Sequence, residues 1–157
     1  MPRSGIEWYN EVMDIRSASH TRYNIQYHFV WIVKYRKSLL DDERGKALQG
    51  ILTEIGQRYW FEIIRVGTDG NHVHLFVGAA PRYAPATIMK IIKSITAREM
   101  FRRYQELRKD LWGGEFWGDG YYVGTVGDGV TAEIIKAYID QQGKITDHKP
   151  FEQLRLL

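Results

Sequence analysis

Apolar and polar residues alternate along several stretches of this chain, and the alternation predicts strands. From Tyr23 to Lys34, Ile25, Tyr27, Phe29, Trp31 and Val33 share one face, and Gln26, His28, Val30 and Ile32 share the other. This run predicts a long strand buried on both faces at its centre, and also an edge that a second subunit could cover. From Asn71 to Val77 the pattern repeats, with Val73, Leu75 and Val77 on one face and His72, His74 and Phe76 on the other. Phe61 to Val66 predicts a strand before it, joined through the turn signal Asp69-Gly70, and Gly120 to Val126 predicts a fourth. Two stretches switch to helical spacing. Leu48, Ile51, Leu52 and Ile55 follow the cap signal Asp41-Asp42, and Ile88, Ile91, Ile92 and Ile95 follow Pro85. Arg98, Arg102, Arg103, Arg108 and Lys109 load the C-terminal half of this second helix, either as a solvated face or as phosphate contacts. A last helix is predicted from about Val130 to Gln142, with Gly143 as its stop.

The order is β-α-β-β-α-β followed by one extra helix. That is an α+β, ferredoxin-like (RRM-like) pattern, with an antiparallel sheet, helices on one face and the other face open. If Val73 and Leu75 face the helices, His72 and His74 face the open side. The expected organisation is an N-terminal extension over residues 1–21, one domain over residues 22–143 and a C-terminal tail over residues 144–157.

Composition narrows the chemistry. The 157 residues include no cysteine, which excludes thiolate ligands and disulfides. A net charge of +3 with 13% aromatic residues permits a single-stranded nucleic-acid partner, whose bases stack on rings. No stretch approaches the ~18 apolar residues of a membrane span. The first eight residues hold no apolar leader core. A cytoplasmic protein with no membrane partner is expected.

His72 and His74 stand on the same strand face, roughly 6–7 Å apart at the backbone. Two imidazoles at that spacing can converge on one metal ion, or can simply be two histidines on a wet strand face. On the last helix Ile134, Ile135, Tyr138, Ile139 and Gln142 fall within one arc, which places Tyr138 and Gln142 one turn apart. A glutamine in an apolar arc needs a polar partner, and the His-bearing face is the natural one. Two imidazoles and an amide oxygen could hold a divalent metal with open positions. Mn²⁺ suits such mixed donors, and Mg²⁺ competes with it. The metal would polarise a phosphate oxygen, and the phenol could attack phosphorus. With an unperturbed pKa of about 10 the phenol needs activation, and no side chain is singled out for that.

These residues resemble the small single-tyrosine transposases of prokaryotic insertion sequences, often called transposase A, which belong to the HUH (His–hydrophobic–His) endonucleases. The matching residues are Tyr27-His28-Phe29-Val30-Trp31, Lys34-Tyr35-Arg36, His72-Val73-His74-Leu75, Leu111-Trp112-Gly113-Gly114, and Tyr138-Ile139 with Gln142. The resemblance implies that His72, His74 and Gln142 ligate Mg²⁺ or Mn²⁺. It implies that Tyr138 is the nucleophile, forming a 5′-phosphotyrosine link and freeing a 3′-hydroxyl. It implies single-stranded DNA ends with hairpins as substrate, and a homodimer in which each helix reaches the neighbour's histidines. Gly70-Asn71 stands where the family often has Pro-Asp. Two other readings compete: a non-catalytic single-stranded nucleic-acid-binding module on the same sheet, and a domesticated relative that cleaves chromosomal hairpins.

Overall fold

Phe29, Trp31, Val73, Leu75 and Val77, the apolar sides of two predicted strands, are all at most 2% exposed and belong to one hydrophobic cluster. They lie in the central pair of a four-stranded sheet in the computed structural model, which describes residues 16–126 and 130–141. Two short strands, β1 (Arg16–Ala18) and β2 (Thr21–Tyr23), form a separate antiparallel pair. The main sheet comprises β3 (Gln26–Ile32), β4 (Glu62–Asp69), β5 (His72–Gly78) and β6 (Tyr122–Thr125), in the order β4-β5-β3-β6 with every neighbour antiparallel. This is the expected α+β, ferredoxin-like arrangement.

Helix α1 (Asp42–Tyr59) starts where Asp41 accepts a 2.8 Å hydrogen bond from the Arg44 amide, and it ends at Trp60 in the left-handed region. It buries Leu48, Ile51, Leu52 and Ile55, the predicted stripe. Helix α2 (Pro85–Arg103) takes Pro85 in its first turn and buries Ile88 and Ile92, with Thr96 and Met100 continuing the i, i+4 row. Ile91 and Ile95 sit beside that row, only partly buried. Both helices pack against the Leu75 face of the sheet.

Three differences from the sequence reading have physical causes. The run Tyr23–Lys34 is not an edge. It is the central strand β3, shortened to Gln26–Ile32 and flanked by β5 and β6. Arg108 and Lys109 do not extend α2, because the chain leaves helical geometry at Tyr104 and makes a separate turn, α3 (Leu107–Asp110). The N-terminal stretch, from residue 16 onward, forms the β1–β2 hairpin, which is tied to β4 by the Arg16–Glu62 ion pair.

The loop after α3 is pinned rather than loose. Leu111, Phe116 and Trp117 are buried. Trp117 Nε1 donates to Thr96 Oγ1 at 2.9 Å, and that hydroxyl donates to the Ile92 carbonyl at 2.6 Å. Lys93 Nζ donates to the carbonyls of Gly118 and Gly120 at 2.7 and 3.0 Å. Helix α4 (Val130–Asp140) lies against β4 and β5 on the sheet face opposite α1 and α2. Among the described residues no helix is long and apolar enough to cross a membrane.

Thr96→Val keeps the shape of this side chain but leaves the buried Trp117 N–H without its acceptor. It should lower stability by about 1–3 kcal/mol in urea unfolding, and Thr96→Ser should recover most of it. A Thr96→Val protein as stable as the wild type would show that the indole finds another acceptor.

Candidate active site

The strand register decides which side chains meet under α4. In the β3–β5 ladder Val30 lies opposite His74, His28 opposite Phe76 and Ile32 opposite His72. Alternation therefore puts His28, Val30, His72, His74 and Phe76 on one face. The sequence pattern set the last helix against this open sheet face, and α4 of the same chain covers it, leaving His28, His72 and His74 at 9, 8 and 1% exposed.

The rings of His72 and His74 are 5.1 Å apart at 74°. Tyr138, on α4, sets its ring edge-on to His74 at 5.5 Å and to His28 at 6.3 Å. The described part of the predicted site thus comes together: two histidines from β5 and the tyrosine from the last helix. Gln142 lies outside the described residues. Among the described residues no three His, Asp or Glu side chains are placed to hold a metal ion.

Two residues that sequence reasoning passed over orient the histidines. Asn71 Oδ1 is 2.9 Å from His72 Nδ1, so the amide oxygen accepts from Nδ1–H and the ring's lone pair sits on Nε2. Asn71 had registered only as a departure from Pro-Asp. His28 Nε2 is 3.1 Å from His74 Nδ1, with the two rings stacked at 5.3 Å. When His74 donates from Nδ1, its lone pair too is on Nε2 and His28 is the acceptor. The alternation of β3 separates His28 from the Phe29 face, and the β3–β5 register then brings it level with the His74 side of the sheet.

The electrostatics favour neutral rings. Burial, then the neighbouring His72 and His28, lowers the His74 pKa from 6.5 to about 3. Burial alone pulls His28 below its ordinary value. A neutral imidazole offers a lone pair at physiological pH, which is what metal ligation requires. The donor set therefore fits a divalent cation.

Comparison with known proteins bears on this geometry. Residues 21–142 match the family model described as "Transposase IS200 like". The ISDra2 transposase TnpA of Deinococcus radiodurans is 38% identical over 120 residues, covering 76% of this chain and 85% of the relative. The transposase for insertion sequence element IS200 of Salmonella typhimurium is 30% identical over 143 residues, covering 91% of both chains. A crystal structure of a Deinococcus radiodurans protein assigned as a transposase superposes with a TM-score of 0.66 at 31% identity, covering 81% of this chain and 98% of that one. A REP-associated tyrosine transposase bound to a REP hairpin shares the fold, with a TM-score of 0.55 at 13% identity over 80% of this chain and 72% of its own.

The buried neutral His74 makes stability depend on pH. Its folded pKa lies below the unfolded value, so the contribution is complete above pH 6.5 and is lost as pH falls toward about 3. One such group can contribute a slope of at most about 1.4 kcal/mol per pH unit. Urea midpoints of metal-free protein between pH 7 and pH 4 should fall more steeply than those of His74→Phe. Parallel curves would assign the acid sensitivity to other groups.

Proposed function

The chain belongs to the IS200-like transposase family, and on that premise we propose that it cleaves and rejoins single-stranded DNA through a covalent bond to Tyr138. The observation that carries this reading is the contact of the Tyr138 ring with His74, on the sheet face where three imidazoles meet. The family makes the protein a DNA-processing enzyme, and this contact supports Tyr138 as the proposed nucleophile.

In the proposed step the Tyr138 phenol oxygen attacks a backbone phosphorus. A P–O bond to tyrosine forms as the P–O3′ bond breaks. The released 3′-oxygen takes up a proton, and the DNA 5′ end stays on the enzyme as a phosphotyrosine. A second 3′-hydroxyl reverses the exchange and rejoins strands, so the number of phosphodiester bonds is kept and no nucleotide cofactor is consumed. His72, His74 and Gln142 would hold Mg²⁺ or Mn²⁺, which supplies Lewis acidity at a phosphate oxygen. Asn71 and His28 fix the tautomers of the two histidines. Hairpin-bearing element ends are the proposed substrate, in keeping with the hairpin bound by one neighbour of the same fold.

A homodimer sharing its helices is part of the proposal. Within this chain α4 lies over its own histidines. Exchange of an element between two copies preserves the contacts that the element makes in one. The segment before α4, Gly127-Asp128-Gly129, has two residues without Cβ that accept many backbone conformations.

Tyr138→Phe should retain DNA binding and abolish the covalent protein–DNA band formed with single-stranded DNA and Mn²⁺. An adduct on Tyr138→Phe would move the nucleophile elsewhere, and a wild-type protein that forms no adduct would favour the binding module. Co-expressed Tyr138→Phe and His72→Ala chains should recover an adduct, carried by the His72→Ala chain, which a size tag would reveal. Heterodimers without any adduct would confine each site to one chain.

His28→Phe should weaken Mn²⁺ binding about 10–100-fold in a metal titration, as loss of a ligand's orienting partner does. His28→Gln, which keeps an acceptor, should weaken it less. If both variants bind Mn²⁺ like the wild type, His28 does not orient His74.

A further inference from the structure

Tyr35 and Trp112 face each other on the surface as a parallel stack, with ring centroids 5.7 Å apart and an interplanar angle of 13°. Both are open to solvent, Tyr35 at 49% and Trp112 at 80%. Large rings at that exposure gain little from the core, so a folding role accounts poorly for them. The backbone beneath them is strained. Tyr35 and Arg36, neither a glycine, take φ of 59° and 52°. On the opposite loop Gly113 leaves room for the Tyr35 hydroxyl, which a Cβ there would meet at 3.2 Å, and Gly114 takes φ of 81°. Two loops thus hold one aromatic against the other while leaving the outer ring uncovered.

The position of the stack matters as much as its shape. Ile32 lies opposite His72, the Val33 amide donates to the Asn71 carbonyl at 2.8 Å, and the Lys34 amide donates to the Phe116 carbonyl at 2.9 Å. Tyr35 therefore stands three residues beyond the strand position that pairs with His72. Lys34, held by Glu115 at 2.7 Å and Asp119 at 3.5 Å, places Nζ 5.9 Å from the Tyr35 ring centre. Arg36 and Lys37 are exposed beside it. A flat uncovered ring next to exposed cations, at the His72 end of the sheet, matches what a single strand presents: a base face and a phosphate.

We propose that the Tyr35–Trp112 stack is a binding site for an unpaired nucleobase of the DNA strand, with the base seated on the outer face of Trp112. The site rests on the single-strand reading above and adds a place where the strand is gripped outside the chemistry. Base–aromatic stacking is tolerant of sequence, so the grip positions the strand without reading it.

The test uses the full chain carrying Tyr138→Phe, so that only binding is read, and two labelled probes about 20 nucleotides long: oligo(dT) and an abasic strand of equal charge. Fluorescence anisotropy should show that the parent binds oligo(dT) more tightly. Trp112→Ala should weaken oligo(dT) binding about tenfold, within the range of one lost stacking contact. Its affinity for the abasic strand should not change, and Trp112→Phe should recover most of the loss. Exposure of Trp112 makes misfolding of the alanine variant unnecessary as an explanation, and unchanged circular dichroism checks this. The proposal fails if Trp112→Ala leaves oligo(dT) affinity intact or lowers both affinities equally. It also fails if the variant changes the sedimenting species instead, which would make the patch a protein contact. A parent that binds neither probe would overturn the single-strand reading itself, a result distinct from normal binding without a Trp112 effect.

Discussion

The register between β3 and β5 is the constraint on which everything else depends. Both faces of this strand pair are buried, one under α1 and α2 and the other under α4. A slip of one residue would exchange the faces. If β5 slipped, Leu75 would leave the apolar cluster and the imidazole of His74 would enter it, away from His28. The hydrophobic packing of one face therefore fixes the chemistry of the other. No residue of the site needs its own folding energy to be placed within reach of its partners.

Burying three histidines has a cost, and the structure shows how it is met. Charged imidazoles this close under a helix would repel one another and lose their hydration. His74 and His28 are held neutral and bond to each other, and His72 bonds to Asn71. In that state His72 and His74 each commit Nδ1 to the protein. The arrangement that avoids the folding penalty is also the one that the proposed ligation would use.

Much of this was legible in the sequence, and what was not has a reason. Period-2 alternation located the strands and assigned His72 and His74 to one face, because a side chain's face on a strand follows from its parity alone. Helical spacing placed Tyr138 on the inner arc of α4 for the same reason. Parity within one strand says nothing about its neighbours, so the meeting of His28 with His74, set by register across β3 and β5, was not visible. Nor was the central position of β3, since an apolar run reads alike at an edge and in the middle of a sheet. The stretch from Leu111 to Gly120 has no period at all. Its order comes from single long-range bonds, Trp117 to Thr96 and Lys93 to two carbonyls, which no local pattern encodes.

Those bonds link the loop to function through rigidity. Trp117 is buried against Trp31 and Phe116, and Gly118 donates its amide to the Ile32 carbonyl at 2.8 Å, beside the strand position that faces His72. A Cβ at Gly118 would approach the Ile32 side chain to 2.8 Å, so only glycine lets the loop lie this close to β3 without a shift. The loop that presents Trp112 to solvent is thereby anchored to the same strand that carries His28. A rigid connection of this kind keeps the distance between an outer contact and the histidine site constant. For the proposed transesterification, which requires one phosphate in line with one hydroxyl, a fixed spacing would convert weak binding along a strand into position at the reacting atoms.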